Sequence, residues 1–246
     1  MNRLSRIFII VTLFLFLSVI TLKIYSSNLL PTESFVLYES KIVEKNSDQV
    51  EISGVVQSSS GVIVFKDNGK SYILTAGHSC DMDQKSSTLA TVETKNQVIN
   101  YNFETFDAEI LTFQLDVDLC LLESNNDVGK PIRLSRIPPK RGDRVYNIAA
   151  PYALFEPNFI LIFEGIYSGR SLNMDMDIYT IPIGSGSSGS PVLNSRGELI
   201  GIVSASFPLM ENFAIVVPLR EIRNFIEESK TRLLSPGDED DSSSPD

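Results

Sequence analysis

Apolar residues follow three different rhythms along this chain. The first is a run at positions 7–22, from Ile7 to Leu22, that no charge interrupts, with Arg3 and Arg6 before it and Lys23 after it. A membrane-spanning helix needs about 17–25 residues. Adding Tyr25 and the Lys23 stem, whose charged end can reach the interface, extends the segment to 7–25 and into that range. The segment is expected to be a transmembrane signal-anchor or a cleaved signal peptide. Tyr25-Ser26-Ser27 is the nearest approach to a small-residue cleavage site. In either case Arg3 and Arg6 place residues 1–6 in the cytoplasm and the rest outside, periplasmic or extracellular, and secreted if the segment is cut. A buried core helix is the plainer alternative.

The second rhythm is that of short strands. Val62-Ile63-Val64-Phe65 and Ser71-Tyr72-Ile73-Leu74 flank Asp67-Asn68-Gly69-Lys70, and Asn-Gly between two such runs signals a tight hairpin. Further strand-like segments lie at 34–38, 109–113, 144–148, 159–163, 178–181, 199–203 and 213–217, with Gly, Pro, Asn and Asp between them. Many short strands with turn signals predict a sandwich or barrel. The third rhythm is helical. Leu219, Ile222, Phe225 and Ile226 recur at helical spacing among charged residues, and Pro218 suits a first helical position. This helix is expected to end near Leu234, before Pro236. Residues 235–246 are Ser, Pro, Gly, Asp and Glu and are expected to form a disordered acidic tail. The layout read from these patterns is a linker and first strand over 26–50 and one folded domain over 51–234.

A chain of 246 residues fits one domain with appendages. At 43% apolar and 21% charged residues, its composition is that of an ordinary globular protein. The net charge of −10 argues against nucleic acid as a partner, because phosphate binding needs basic patches. Part of that charge sits in Gly237-Asp238-Glu239-Asp240-Asp241. Cys80 and Cys120 are too few for a disulfide-dense scaffold and fit no zinc spacing. No metal and no cofactor is expected. His78 is the single histidine of the chain.

Three segments carry candidate chemistry: Leu74-Thr75-Ala76-Gly77-His78-Ser79-Cys80, Asp116-Val117-Asp118-Leu119-Cys120-Leu121-Leu122, and Gly184-Ser185-Gly186-Ser187-Ser188-Gly189-Ser190-Pro191-Val192. A serine hydroxyl is a weak nucleophile and needs a base in reach, most often histidine. That histidine needs a carboxylate to set its tautomer. The oxyanion of an attacked carbonyl needs donors, which a glycine-rich turn supplies from backbone N–H groups. Asp116 and Asp118 both project to one face of a strand and compete for the carboxylate role. Ser185, Ser187 and Ser190 read as loop residues. Gly69-Lys70-Ser71 is not a phosphate loop, because Val64 stands where that motif has a further glycine. Gly186-Ser187-Ser188-Gly189-Ser190 lacks the last glycine of the α/β-hydrolase elbow.

Thr75-Ala76-Gly77-His78, Asp118-Leu119-Cys120-Leu121-Leu122 and Gly186-Ser187-Ser188-Gly189-Ser190-Pro191 resemble, in order, the His, Asp and Ser motifs of trypsin-like (chymotrypsin-fold) serine proteases. The hairpin from Gly61 to His78, the run from Arg141 to Pro151 and Phe213-Ala214-Ile215-Val216-Val217-Pro218 resemble the bacterial, HtrA-like branch. The resemblance covers roughly residues 50–230. It implies an all-β fold of two antiparallel six-stranded barrels with the site between them and a C-terminal helix over 218–234; the apolar run adds one expected transmembrane helix in front. It implies Ser188 as nucleophile, His78 as general acid and base, Asp118 as orienting carboxylate, and the Gly186 and Ser188 N–H groups as the oxyanion hole. It also implies that Ser204-Ala205-Ser206 pairs with substrate backbone, with Ser206 narrowing the pocket where glycine is frequent. Pro182 stands where the family's acidic pocket base lies when present, so a preference for Arg or Lys is not supported. Ser190 replaces a usual glycine. No Ile-Val-Gly-Gly-type activation site is found, and no PDZ-like domain is expected after the helix. If the three motifs assemble, Cys80 and Cys120 come close together. They then form either a disulfide, which is permitted outside the cytoplasm, or two small buried thiols. The function implied is a membrane-tethered extracytoplasmic serine endopeptidase acting on protein or peptide substrates. The alternative is a catalytically inactive protease-like binding module.

Overall fold

A computed structural model describes residues 11–14, 16, 30–45, 51–86, 92–207 and 210–234. The first half contains β1 (Phe35–Lys45), β2 (Glu51–Asp67), β3 (Lys70–Ala76), α1 (Gly77–Ser86), β4 (Val92–Asn100), β5 (Thr105–Asp107), β6 (Glu109–Gln114) and β7 (Leu119–Ser124). The second contains β8 (Arg144–Ala149), β9 (Phe155–Glu156), β10 (Phe159–Ser171), β11 (Met176–Thr180), β12 (Pro191–Asn194), β13 (Leu199–Phe207) and β14 (Met210–Pro218), followed by α2 (Leu219–Leu234).

The expected hairpin joins β2 to β3. Asn68 and Gly69 both have positive φ, 49° and 81°, as the twist-matched two-residue turn requires. Alternate residues of these strands then feed different cores, because successive side chains point to opposite faces. Ile63 and Ile73 join Val36, Tyr38, Val98 and Leu122 inside the first sheet. Val62 and Leu74 face the other way and join Leu119 and Leu121 in a cluster shared with Ile148, Leu193, Ile202 and Val217 of the second half. Ile222, Phe225 and Ile226 of α2 close this shared cluster. The period-3.6 stripe therefore lies on the seam between the halves. Pro218 ends β14 rather than opening the helix, which starts at Leu219.

The two halves differ in closure. The second sheet runs β11-β14-β13-β12-β8-β10-β9, and an added β10–β11 pairing closes six of its strands into a barrel around Val145, Tyr179, Ile181, Val192 and Val216. The first sheet runs β5-β4-β1-β2-β3-β7-β6 and is a half-barrel. The expectation of two closed six-stranded barrels is corrected here for a physical reason. β5 occupies the free edge of β4, with Thr105–Asp107 opposite Gln97–Ile99, so β6 has no ladder there to join. Among the described residues, the Ala108 N–H to Asn96 carbonyl bond at 3.0 Å links these edges.

The expected transmembrane segment 7–25 and the acidic tail 235–246 lie outside the described residues, apart from 11–14 and 16, which are helical. Among the described residues no helix is long and apolar enough to cross a membrane. Helix α1, which carries His78 in its first turn, has no counterpart among the expected elements, and neither do β4 and β5.

Candidate active site

Each motif lies at a junction between elements and is aimed by an unusual piece of backbone. β3 delivers Gly77, where a Cβ would lie 2.9 Å from the Gln114 carbonyl and the Leu119 nitrogen, so only glycine fits the approach of the β6–β7 turn. His78 follows in the first turn of α1. Asp118 closes the β6–β7 turn at φ 54°, a left-handed conformation that Asp tolerates better than most residues. Its carboxylate accepts the His78 backbone N–H at 2.8 Å and meets Nδ1 of the ring at 2.9 and 3.0 Å. Asp116, the competing carboxylate, is exposed on the same turn.

Nε2 of His78 lies 3.1 Å from the Ser188 hydroxyl oxygen. With the Nδ1 proton held by Asp118, Nε2 is left as an acceptor for the Ser188 proton. The Ser188 hydroxyl is also 3.3 Å from the Ser204 carbonyl, to which it can donate. Ser204 reaches the other end of the same chain, because its hydroxyl donates to Oδ2 of Asp118. The sequence places Ser204 only in the substrate-pairing strand. Its hydrogen bond to Asp118 spans 86 residues and leaves no local trace.

The electrostatics follow from these contacts. Hydrogen bonding to Asp118 holds the His78 pKa above its ordinary 6.5, against the opposing effect of burial, with a further Coulombic contribution from Asp118. Burial alone would raise Asp118. The hydrogen bonds from His78 and Ser204 outweigh it and keep the carboxyl below its ordinary 3.8. The pair is thus set to keep Asp118 ionised and to stabilise an imidazolium beside it.

The Ser188 turn depends on two glycines of positive φ, Gly186 at 90° and Gly189 at 82°. A Cβ on Gly189 would lie 2.1 Å from the Ser60 carbonyl and 2.2 Å from Oγ1 of Thr75, so this turn is pressed against the first half of the molecule. The Ser185 carbonyl accepts the Tyr152 N–H at 2.6 Å. In a trans peptide N–H and C=O point in opposite directions, so the Gly186 N–H is turned away from Tyr152. Tyr152 itself, at φ 56°, carries no sequence signal of a role.

A cleft of about 680 Å³ opens beside Ser188, between Ser204-Ala205-Ser206-Phe207 and Ile183. Among the described residues, its lining holds no carboxylate, lysine or arginine. Pro182, expected at the pocket base, is exposed and outside this lining, whereas its neighbour Ile183 is part of it. Ile181 is buried in the core of the second barrel and Ile183 packs against the same cluster, which leaves Pro182 between them on the outside. Cys80 of α1 and Cys120 of β7 are both buried and form a disulfide, so the two-thiol alternative does not hold.

Comparison with known proteins follows the same lines. A family described as the trypsin-like peptidase domain matches residues 59–202. The chain is 28% identical over 184 residues to the serine protease Do-like HtrB of Bacillus subtilis (strain 168), covering 69% of this chain and 38% of that relative. It is 30% identical over 87 residues to a serine protease HtrA-like of Staphylococcus aureus (strain MRSA252), covering 29% of this chain and 11% of that one. The chain therefore spans well under half the length of these relatives. The crystal structure of the serine endoprotease from Yersinia pestis is similar with a TM-score of 0.61 at 23% identity, over 80% of this chain and 63% of that one.

Proposed function

The chain belongs to the trypsin-like peptidase family, and from that membership we propose that it is a serine endopeptidase working through an acyl-enzyme. The observation that carries the reading is the continuous contact from the Ser188 hydroxyl through the His78 ring to the Asp118 carboxylate. In the proposed reaction the Ser188 oxygen attacks the scissile carbonyl while Nε2 of His78 takes its proton. Asp118 stabilises the resulting imidazolium. The N–H groups of Gly186 and Ser188 donate to the tetrahedral oxyanion. Collapse breaks the C–N bond, and the His78 proton passes to the leaving amine. Water, activated by the same ring, then attacks the acyl ester and releases Ser188.

The substrate is proposed to be a protein or peptide laid along Ser204-Ala205-Ser206 as an added strand. With an uncharged pocket beside Ser188, uncharged side chains are expected at the cleaved bond. The tether is proposed to be segment 7–25, uncleaved, with residues 1–6 cytoplasmic, the domain over 51–234 outside the membrane and 235–246 as an acidic tail. The Cys80–Cys120 disulfide supports the extracytoplasmic part of this reading, because such bonds persist in oxidising compartments.

A fluorophosphonate probe tests the proposal. Wild-type protein should be labelled and should cleave denatured casein, and Ser188→Ala should do neither. Labelling that survives in Ser188→Ala would refute the nucleophile. Wild-type protein that binds peptides without labelling or cleavage would establish the inactive binding module instead.

A further inference from the structure

We propose that Ser60 is a positioning residue that holds the oxyanion turn of Ser188 in its working orientation from the opposite half of the molecule. The inference rests on the peptidase reading and adds to it a residue that no motif marks. Ser60 lies on β2 and is fully buried. Its N–H donates to the Ser188 carbonyl at 2.9 Å, and its carbonyl accepts the Thr75 hydroxyl at 2.8 Å. Its hydroxyl donates to the Gly186 carbonyl at 2.9 Å and accepts the Ala150 N–H at 3.0 Å. One side-chain oxygen therefore joins three separate segments: the middle of β2, the nucleophile turn and the stretch after β8.

The site of this contact gives it meaning. Gly186 sits at φ 90°, in a region that glycine enters freely, so nothing in its own backbone resists rotation of the neighbouring peptide units. Both carbonyls flanking it are nevertheless held. Tyr152 N–H takes the Ser185 carbonyl and the Ser60 hydroxyl takes the Gly186 carbonyl. The described peptide bonds are trans. Fixing the Ser185 carbonyl on Tyr152 therefore directs the Gly186 N–H to the opposite side, and fixing the Gly186 carbonyl on Ser60 holds the following peptide unit, so both units that meet at this glycine are anchored. A donor aimed before the reaction begins is worth most, because it costs no reorganisation when charge develops. The Ala150 N–H bond ties the same hydroxyl to the segment that carries Tyr152, so the two clamps reinforce one another.

Removing only the hydroxyl is a clean perturbation, because the Ser60 N–H bond to Ser188 remains. In Ser60→Ala the full-length protein should keep KM within about threefold while kcat falls about 10- to 100-fold, the range expected for a misplaced oxyanion donor. Binding of a peptide aldehyde, whose adduct places an oxygen where the oxyanion forms, should weaken in parallel. The acid limb of the pH profile should not move, since the contacts between His78 and Asp118 are untouched. Ser59→Ala is the control, one residue away on the same strand and equally buried, with its hydroxyl near Thr75 at 3.4 Å. If Ser60→Ala is too unstable to assay, Ser60→Cys keeps the shape with a weaker hydrogen bond, and kcat should fall about 3- to 10-fold. Ser60→Ala, or Ser60→Cys in its place, with wild-type kcat would overturn the inference, as would an equal loss in Ser59→Ala. Wild-type protein without labelling or cleavage would instead sink the peptidase reading, so the two failures are distinguishable.

Discussion

The Cys80–Cys120 disulfide is the feature whose removal has the most direct numerical consequence. The bond joins residues separated by 40 positions, one in α1 and one in β7. Deleting it by the double replacement Cys80→Ala and Cys120→Ala frees that loop in the unfolded chain. The loop-entropy relation for a closed loop of this length gives about 4 kcal/mol at 25 °C. For a domain of 150–250 residues, that corresponds to a midpoint lower by about 8–16 °C. Thermal unfolding followed by circular dichroism reads this directly, and wild-type protein unfolded in reductant should fall to the same midpoint. Thiol titration of native, unreduced wild-type protein should find no free thiol. Activity should behave differently. The bond attaches two residues beyond His78 and two beyond Asp118, but the hydrogen bonds of the pair do not need it, so kcat at 25 °C should stay within about tenfold of wild type. A midpoint shift under about 3 °C, or two titratable thiols in the native protein, would refute this reasoning.

Asp118→Asn should lower kcat about 10⁴-fold, equivalent to about 5 kcal/mol of barrier, because an amide beside Nδ1 favours the wrong tautomer. A loss under 100-fold at saturating peptide would show that Asp118 does not orient the ring. The raised pKa of His78 puts the acid limb of kcat/KM above about pH 6.5, since the neutral imidazole is the base, and a limb centred below pH 6 would contradict the arrangement. The same shifts act on stability with opposite signs. The His78 contribution is complete below its unfolded value and is lost as pH rises through the raised folded one. That of Asp118 is present above its unfolded value and is lost as pH falls through the lowered folded one. Gly189→Ala combines a positive φ with a Cβ 2.1 Å from the Ser60 carbonyl, so it should abolish folding or cut probe labelling by more than 100-fold. Wild-type labelling and midpoint in that variant would show that the turn is not packed against β2.

The sequence by itself determined what depends on neighbours along the chain. Short strand-like runs between turn residues gave the β class, Asn68-Gly69 gave the β2–β3 turn, and the Leu219, Ile222, Phe225 and Ile226 spacing gave the buried face of α2. The motif resemblance picked out His78, Asp118 and Ser188 before any geometry was known. The tertiary structure decided what depends on chain closure. It chose Asp118 over the exposed Asp116 and bonded Cys80 to Cys120. It brought the Ser204 hydroxyl to Asp118 and put Ile183 rather than Pro182 at the cleft. It also left the first half open, because β5 occupies the edge of β4. It brought Ser60 to Gly186 across 126 residues, a contact for which no propensity or period near position 60 gives any sign. The physical reason is one of range. Backbone preference and hydrophobic rhythm act over a few residues, whereas a hydrogen bond between distant segments exists only once the shared core has fixed where those segments lie.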